Sequence, residues 1–204
     1  MIRIYGTGHT RWTKCIWMAR EVGAEFETVE VSYDQAGGHF GDAEFLKTQP
    51  FGLVPAMEHG DLKLFESQAI INYLGETHPE AQMIPESGTA QRALYDQWVF
   101  FTVTTLETPL WSWFRHAILY GEDKKSKTEI GRAYKELQSV LGKLDPLLSG
   151  KDYLIENKFS AADITLCFNL NWASTFKFLD KHQNLKRYLE LHKQRKAYPS
   201  DLNG

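Results

Sequence analysis

The chain has 204 residues, of which 43% are hydrophobic and 24% charged, and its formal net charge is -3. This is an ordinary globular composition, and it gives no reason to expect a nucleic-acid partner, because nucleic-acid binding depends on basic surface that neutralises phosphates. No apolar run approaches the roughly 20 residues of a membrane span, and Cys15 and Cys167 form neither a disulfide framework nor a zinc pattern. Since no signal-peptide pattern is present either, we expect a cytoplasmic protein with no metal and no membrane contact.

The first part of the sequence mixes strand and helix patterns. A β-prone run over residues 2–5 ends at a glycine, and from Arg11 apolar residues recur at helical spacing as far as Val22. A second β-prone run covers residues 26–31. Because strand, helix and strand follow one another with short connections, we expect a parallel pair in a right-handed βαβ unit.

A hairpin and a further helix are predicted to complete this α/β part. A polar, glycine-rich loop is expected over residues 32–41, followed by a weak helix over 43–48. Short β-prone runs at 54–58 and 62–65 are separated by a tight, glycine-containing turn, which predicts an antiparallel pair. Ser67 is then expected to be the N-cap of a helix, because serine is a preferred capping residue.

The rest of the sequence has helical periodicity and no comparable strand pattern. The segment THPEAQMIPESG, residues 77–88, contains two prolines and a glycine and is the predicted linker. Helices are predicted over residues 91–106, 127–148, 161–178 and 185–196. The expected fold class is therefore α/β plus all-α, with an α/β domain at 1–76 and an all-helical domain at 89–204.

Three short motifs have positions that carry structural meaning. In QPFGLVPAM, Pro55 stands at the start of a strand, where it cannot donate a ladder hydrogen bond. In FESQAIINYL, Glu66 and Ser67 precede a helix whose free N–H groups and partial positive charge favour a bound carboxylate. In KFSAADITLCF, Ser160 and Asp163 have the spacing of a capping box.

These motifs, in this order around the linker, resemble the glutathione S-transferase family, with a pattern similar to its serine-type theta- and phi-like members. The resemblance implies a thioredoxin-like βαβ-ββα domain that binds glutathione as co-substrate, followed by an all-helical domain. It implies a cis Val54–Pro55 bond, with the Val54 backbone paired to the cysteinyl main chain of glutathione. Glu66 and Ser67 would hold the ammonium and the carboxylate of the γ-glutamyl group, and the capping box would serve folding.

The residue that activates the glutathione thiol is expected just after the first strand. The thiolate is the nucleophile, and a free thiol has a pKa of about 8.5, so a hydrogen-bond donor and a helix N-terminus must lower it. In the family the donor is a tyrosine at the strand end, or a serine or cysteine at the start of the helix. Thr10 stands at the serine-type position and is our candidate, Tyr5 is the alternative, and Cys15 is interpreted as a buried structural thiol.

Other positions depart from the family pattern or are ambiguous. Leu53 stands where relatives often carry a glutamine or lysine that reaches the glycyl carboxylate. His39 is the candidate to replace it, although an exposed loop histidine is an equal alternative. A small hydrophobic electrophile is expected against the helical domain, and core packing competes with that role at each candidate. The candidates for its pocket are Trp12, Phe101, Trp111 and Phe114.

The leading functional hypothesis is a transferase that conjugates glutathione to a hydrophobic electrophile, in the homodimer that the resemblance implies. A non-catalytic interaction module of the same fold is the alternative from another class, favoured by the departures at Thr10 and Leu53. A glutathione-dependent isomerase, dehalogenase or peroxidase is a further alternative, because these activities differ only in the pocket for the second substrate.

Overall fold

A computed structural model of the chain describes residues 1–34 and 38–202 and divides it into two compact units. The first unit is Met1–Pro85 together with the described residues from Arg195 onward, and the second is Glu86–Gln194. The first unit contains the described strands of the sheet and the second is helical, which confirms the expected α/β plus all-α class.

A four-stranded mixed sheet forms the centre of the first unit. The strands described in this unit are β1 (Ile2–Gly6), β2 (Phe26–Glu30), β3 (Tyr33–Asp34), β4 (His39–Phe40), β5 (Ala56–His59) and β6 (Leu62–Phe65). Strands β3 and β4 form a separate pair, and the other four form the sheet. The sheet has the order β2-β1-β5-β6, with β1 parallel to β2 and antiparallel to β5. The expected hairpin is the β5–β6 pair, which turns at Gly60 and Asp61. This is the thioredoxin-like βαβ-ββα arrangement.

Helices α1 (Trp12–Glu21) and α2 (Ser67–Thr77) pack in this unit, and two details differ from the prediction. The expected loop at 32–41 contains the separate β3–β4 pair, held by edge contact of the Tyr33 and Phe40 rings at 5.0 Å, while residues 35–37 lie outside the described part. The weak helix expected over 43–48 is only the 3-10 turn Phe45–Lys47.

The second unit is a helical bundle. Its described helices are α3 (Ala90–Phe100), α4 (Glu107–Phe114), α5 (Lys127–Leu147), α6 (Ala161–Thr175) and α7 (Gln183–Lys193), with π-helical stretches at Phe101–Leu106 and Arg115–Leu119. The predicted end of the first helix before Pro109 is wrong, because the chain continues through the π stretch into α4. Proline is tolerated in the first turn of a helix, and Pro109 is the third residue of α4.

A buried capping box begins α6, as predicted. The Asp163 carboxylate is fully buried and accepts hydrogen bonds from the Ser160 backbone N–H at 2.7 Å and the Leu154 N–H at 2.8 Å. It also accepts hydrogen bonds from the hydroxyls of Ser160 and Tyr188. These bonds satisfy a charged group that burial would otherwise destabilise. None of the helices within residues 1–34 and 38–202 is both long and apolar enough to cross a membrane.

The C-terminal segment belongs to the first unit, whereas the sequence placed it in a helical domain at 89–204. Arg195 donates two hydrogen bonds to Glu21, at 2.6 and 2.8 Å, and Arg20 pairs in the same bidentate way with Asp201. The ring of Tyr198 packs edge-on against Trp17 with centroids 5.0 Å apart. Ion pairs and one aromatic contact therefore attach this segment to α1.

Candidate active site

One edge of the sheet gathers the ends of three strands and the starts of two helices. In the register, Ala56 is opposite Tyr5 on one side and opposite Phe65 on the other. The next residues beyond these pairs, Gly6, Pro55 and Glu66, therefore lie at the same edge. Helix α1 follows β1 there and α2 follows β6, and a helix N-terminus offers free N–H groups and a partial positive charge. The edge is consequently suited to an anionic peptide ligand.

Glu66 and Ser67 lie at this edge with their polar groups unused. Glu66 has φ 70 and ψ 110, a left-handed conformation that is costly for a residue with a side chain. Neither its exposed carboxylate nor the Ser67 hydroxyl has a hydrogen-bond or ion-pair partner among the described residues. Ser67 was expected to be the N-cap of α2, and this is corrected: it is the first helical residue and Glu66 occupies the cap.

Val54 and Pro55 lie next to Glu66 at the start of β5. The Val54–Pro55 peptide bond is cis, as the resemblance implies. The side chain of Val54 packs against a small core of Val31, Phe45 and Ala56, which holds it in place. Its backbone N–H and C=O take part in no hydrogen bond within residues 1–34 and 38–202. Both groups are thus available to pair with an extended ligand main chain.

Thr10 directly precedes Arg11, the N-cap of α1, whose side chain makes no capping hydrogen bond. Its hydroxyl donates a hydrogen bond of 2.8 Å to the Thr7 carbonyl, and its own carbonyl accepts from the Thr13 N–H at 3.1 Å. A hydroxyl has a single proton to donate. For this reason Thr10 can stabilise a thiolate only by releasing Thr7.

Tyr5 directs its hydroxyl away from the edge. The hydroxyl donates to Glu58 at 2.8 Å, and Glu58 is opposite Arg3, two positions back along the sheet from Ala56. Burial raises the pKa of Tyr5, and the bond to Glu58 raises it further. The pKa of Glu58 is lowered, chiefly by the hydrogen bond from the Thr48 hydroxyl. Tyr5 is therefore protonated and engaged within the protein.

His39 lies beside the loop that leads to Pro55. The Phe40 N–H donates to the Gly52 carbonyl at 2.8 Å, and a Cβ on Gly52 would lie 2.4 Å from the Cβ of His39. The imidazole Nε2 is 3.9 Å from an Asp34 oxygen, and the side chain is 31% exposed. Leu53, which follows Gly52, is exposed and offers no polar group. His39 thus packs beside Gly52, the residue that precedes Leu53.

Comparisons with known proteins agree with this geometry. The family domains described as "Glutathione S-transferase, N-terminal domain" and "Glutathione S-transferase, C-terminal domain" match residues 2–76 and 103–192. Glutathione S-transferase F10 of Arabidopsis thaliana is 31% identical over 148 residues, which are 71% of this chain and 67% of that protein. The chain belongs to the glutathione S-transferase family. It accordingly belongs to a family of glutathione transferase enzymes that use glutathione as co-substrate.

Two further similarities bear on what family members do. A sphingomonad glutathione S-transferase solved in complex with glutathione has a TM-score of 0.85 and 25% identity, covering 98% of this chain and 97% of that one. Elongation factor 1-gamma-B of Xenopus laevis is 33% identical over 130 residues, 63% of this chain but only 28% of that protein. This chain is thus similar in sequence to about a quarter of an elongation factor.

The resemblance to the glutathione S-transferase family places the second substrate against the helical domain. The four candidates for its pocket do not share one environment in the structure. Trp111 and Phe114 are half-buried, with ring centroids 6.0 Å apart, and each also contacts Trp172, at 6.1 and 5.3 Å. Phe101 instead contacts Trp98. Trp12 lies in the first unit, 6% exposed beneath Gly6, with its indole N–H bonded to the Gly8 carbonyl. Trp12 is therefore a core residue.

Trp172 contacts two of the pocket candidates, Trp111 and Phe114, but it was not selected from the sequence. Phe168, Trp172 and Phe176 recur at a spacing of four in the predicted α6 and so share a helix face. The pattern showed an aromatic stripe, but only the packing of α6 against α4 shows that this stripe meets Trp111 and Phe114.

Cys15 is not available as a nucleophile in this glutathione S-transferase. Burial raises the pKa of its thiol to about 12, and the sulfur lies 3.6 Å from the Ser67 carbonyl, where α1 packs on α2. A thiol with so high a pKa is unreactive near neutral pH. Across the described ranges, no group of three or more His, Cys, Asp or Glu side chains is arranged to hold a metal ion.

Proposed function

We propose that this chain binds glutathione at the sheet edge of the first unit and conjugates it to a small hydrophobic electrophile. The observation that carries the proposal is the adjacent pair Glu66 and Ser67, polar groups without partners on a backbone held in a costly conformation. Such conformations persist where the surrounding structure and function require them. We expect the enzyme to be cytoplasmic, as is typical of its family.

Glutathione has groups that complement this edge. Its γ-glutamyl end carries an ammonium for the Glu66 carboxylate and a carboxylate for the Ser67 hydroxyl and the N-terminus of α2. The cysteinyl main chain would pair with the Val54 backbone beside Pro55, and His39 would reach the glycyl carboxylate. These four contacts extend along the peptide from one end to the other.

Thr10 is the residue we propose for stabilising the thiolate. It lies at the uncapped N-terminus of α1, at the same edge as the peptide-binding groups, whereas the Tyr5 hydroxyl bonds Glu58 further back along the sheet. A hydrogen bond donated by a hydroxyl and the partial positive charge of a helix N-terminus both favour the charged form of a nearby thiol, and so lower its pKa. The lowered pKa would supply the nucleophile at neutral pH.

A second copy of the chain is the proposed protein partner. Phe51 is 67% exposed and Phe65 36% exposed, and their rings contact each other with centroids 5.6 Å apart. Adjacent exposed aromatic rings are favourable contacts for an interface. Light scattering at several concentrations tests the homodimer, and a mass of one 23.5 kDa chain at all of them would contradict it.

Calorimetric titration with glutathione tests the site. Ser67→Ala removes a hydrogen bond to a charged group, of about 1.5–3 kcal/mol, and should weaken binding roughly 10- to 150-fold. Glu66→Gln should weaken it as well. Glu25→Gln is the matched control, because Glu25 is an exposed glutamate of the same unit, away from this edge. Absence of binding by the unaltered protein at millimolar glutathione would refute the proposal.

A non-catalytic interaction module is the second candidate. Two observations support it: the Thr10 hydroxyl is already bonded to Thr7, and the chain is similar in sequence to elongation factor 1-gamma-B. Turnover of an aryl halide by the purified protein distinguishes the two candidates. Glutathione binding without turnover of any electrophile, together with a stoichiometric protein partner, would favour the module.

A further inference from the structure

Arg115, the first residue after α4, holds a positive charge against aromatic rings. Its guanidinium carbon lies 5.7 Å from the centroid of the Trp111 ring and 5.9 Å from that of Tyr120. Its Nε is buried and has no hydrogen-bond partner within residues 1–34 and 38–202. The charge is thus partly withdrawn from water, which is unfavourable for a charge that is not paired.

The neighbouring acidic residues do not compensate this charge. No carboxylate within residues 1–34 and 38–202 forms an ion pair with Arg115. Glu122, in the loop that follows, pairs with Lys125, and Glu129 on α5 pairs with Arg132 at 2.8 Å. The pKa of Glu129 is lowered chiefly by the Arg132 hydrogen bond, in keeping with that pairing. The terminal guanidinium nitrogens of Arg115, which are not fully buried and have no partner among the described residues, are therefore available to an external anion.

An aromatic surface adjoins the cation. Trp111 and Phe114 are inclined by only 24° to each other, and Trp172 contacts both rings. All three side chains are half-buried, so part of each ring faces solvent. The π-helical stretch Arg115–Leu119 begins at the arginine, and such departures from α-helical bonding are frequent at functional sites.

We propose that Arg115, Trp111 and Phe114 form a subsite for an aromatic anion, a carboxylate or a sulfonate. The rings would pack on the aryl group, and the planar guanidinium would bind the acidic group, a geometry that arginine matches with paired donors. The substrate class, aromatic electrophiles with an acidic substituent, rests on the proposed transferase function. The binding of an aromatic anion does not depend on that function.

A pair of aryl chlorides tests the substrate class. Chlorodinitrobenzoate and its methyl ester share the ring and the leaving group, and the ester replaces the carboxylate by an uncharged group, so their intrinsic difference in reactivity cancels when the ratio is compared between variants. In both, the glutathione thiolate attacks the chlorine-bearing carbon, a C–S bond forms, the C–Cl bond breaks and chloride leaves with the bonding electrons, while the thiol proton passes to solvent. We expect the ratio of kcat/KM for the acid to that for the ester to fall about tenfold or more in Arg115→Gln.

The controls separate charge recognition from folding. Arg132→Gln makes the same charge change on an exposed residue of α5, and it should leave the ratio within about twofold. Arg115→Lys keeps the charge without the planar donors and should give an intermediate ratio. An unchanged ratio in Arg115→Gln, or an equal fall in Arg132→Gln, would overturn the proposal. If Arg115→Gln does not fold, Arg115→Lys decides it in the same way.

Binding without chemistry separates the two proposals. Dinitrobenzoate, which lacks the leaving group, is titrated calorimetrically into the unaltered protein and the Arg115 variants without glutathione. We expect its dissociation constant to rise about tenfold in Arg115→Gln, and equal affinity for both would contradict the subsite. If neither aryl chloride is turned over but dinitrobenzoate binds through Arg115, the transferase proposal fails and the anion subsite stands.

Discussion

Replacing Thr10 by valine isolates the contribution of one hydroxyl to thiol activation. Valine has nearly the same shape as threonine, so the substitution removes the donor and leaves the backbone N–H groups at the start of α1 in place. In the structure the hydroxyl donates to Thr7 at 2.8 Å. Stabilising a thiolate therefore exchanges this bond for a bond to a charged acceptor.

The size of the effect follows from that exchange. A hydrogen bond to a charged group contributes about 1.5–3 kcal/mol and a neutral one about 0.5–1.5 kcal/mol. Subtracting the lower values from each other and the upper values from each other gives about 1–1.5 kcal/mol, which corresponds to roughly 0.7–1.1 pKa units. Thr10→Val should accordingly raise the pKa of the thiol of bound glutathione by this amount. The thiol should still ionise more readily than it does in water, because the helix N-terminus remains in place.

The assay is a pH titration of thiolate ultraviolet absorbance in the glutathione complex, with the pH profile of kcat/KM beside it. Thr13→Val is the matched control, because it removes a buried hydroxyl without a hydrogen-bond partner from the first turn of the same helix. We expect this control to leave the thiol pKa unchanged. Thr10→Val with an unaltered pKa and full turnover would refute the assignment, and Tyr5→Phe would then be the next variant.

Three further outcomes are expected. Gly52→Ala places a Cβ on a residue with φ 62, where it would lie 2.4 Å from the Cβ of His39. Urea unfolding should therefore show a free energy of unfolding lower by about 1–3 kcal/mol, and an unchanged midpoint would contradict the described packing. Arg195→Gln breaks the bidentate pair with Glu21, whose side chain is only 9% exposed. The free energy of unfolding in the same assay should fall by about 1–3 kcal/mol, and a change within error would show that the C-terminal attachment is weak. Cys15, with its pKa raised by burial to about 12, should resist alkylation at neutral pH until the protein is unfolded, and rapid labelling of the native protein would exclude a buried thiol.

Local sequence patterns predicted most elements of the fold. The β5–β6 hairpin was predicted from a tight glycine turn, and α5 was predicted within one residue at its end. Errors arose where local and tertiary preferences differ. The helix predicted to end at residue 106 continues through a π-helical stretch into α4, and residue spacing does not indicate this departure from α-helical bonding.

The sequence predicted which residues gather at the candidate site but not which hydroxyl is free to act there. Val54, Pro55, Glu66 and Ser67 follow motifs of a few residues each, and the strand register brings those motifs to one edge. The choice between two hydroxyls could not be made from motifs, because it depends on what each hydroxyl already bonds. The positive φ of Glu66 was likewise not visible, since glutamate has no intrinsic preference for that conformation.

The sequence by itself determined the order of elements, the α/β plus all-α division and the residues that surround Pro55. These features depend on spacing and on backbone preference, which act over one turn or one hairpin. Tertiary structure decided that the Tyr5 hydroxyl bonds Glu58, 53 residues away, that Arg195 returns to Glu21 across 174 residues, and that Arg115 meets Trp111 without an acidic partner among the described residues. Such contacts are selected by the packing of whole elements, and no local pattern specifies them.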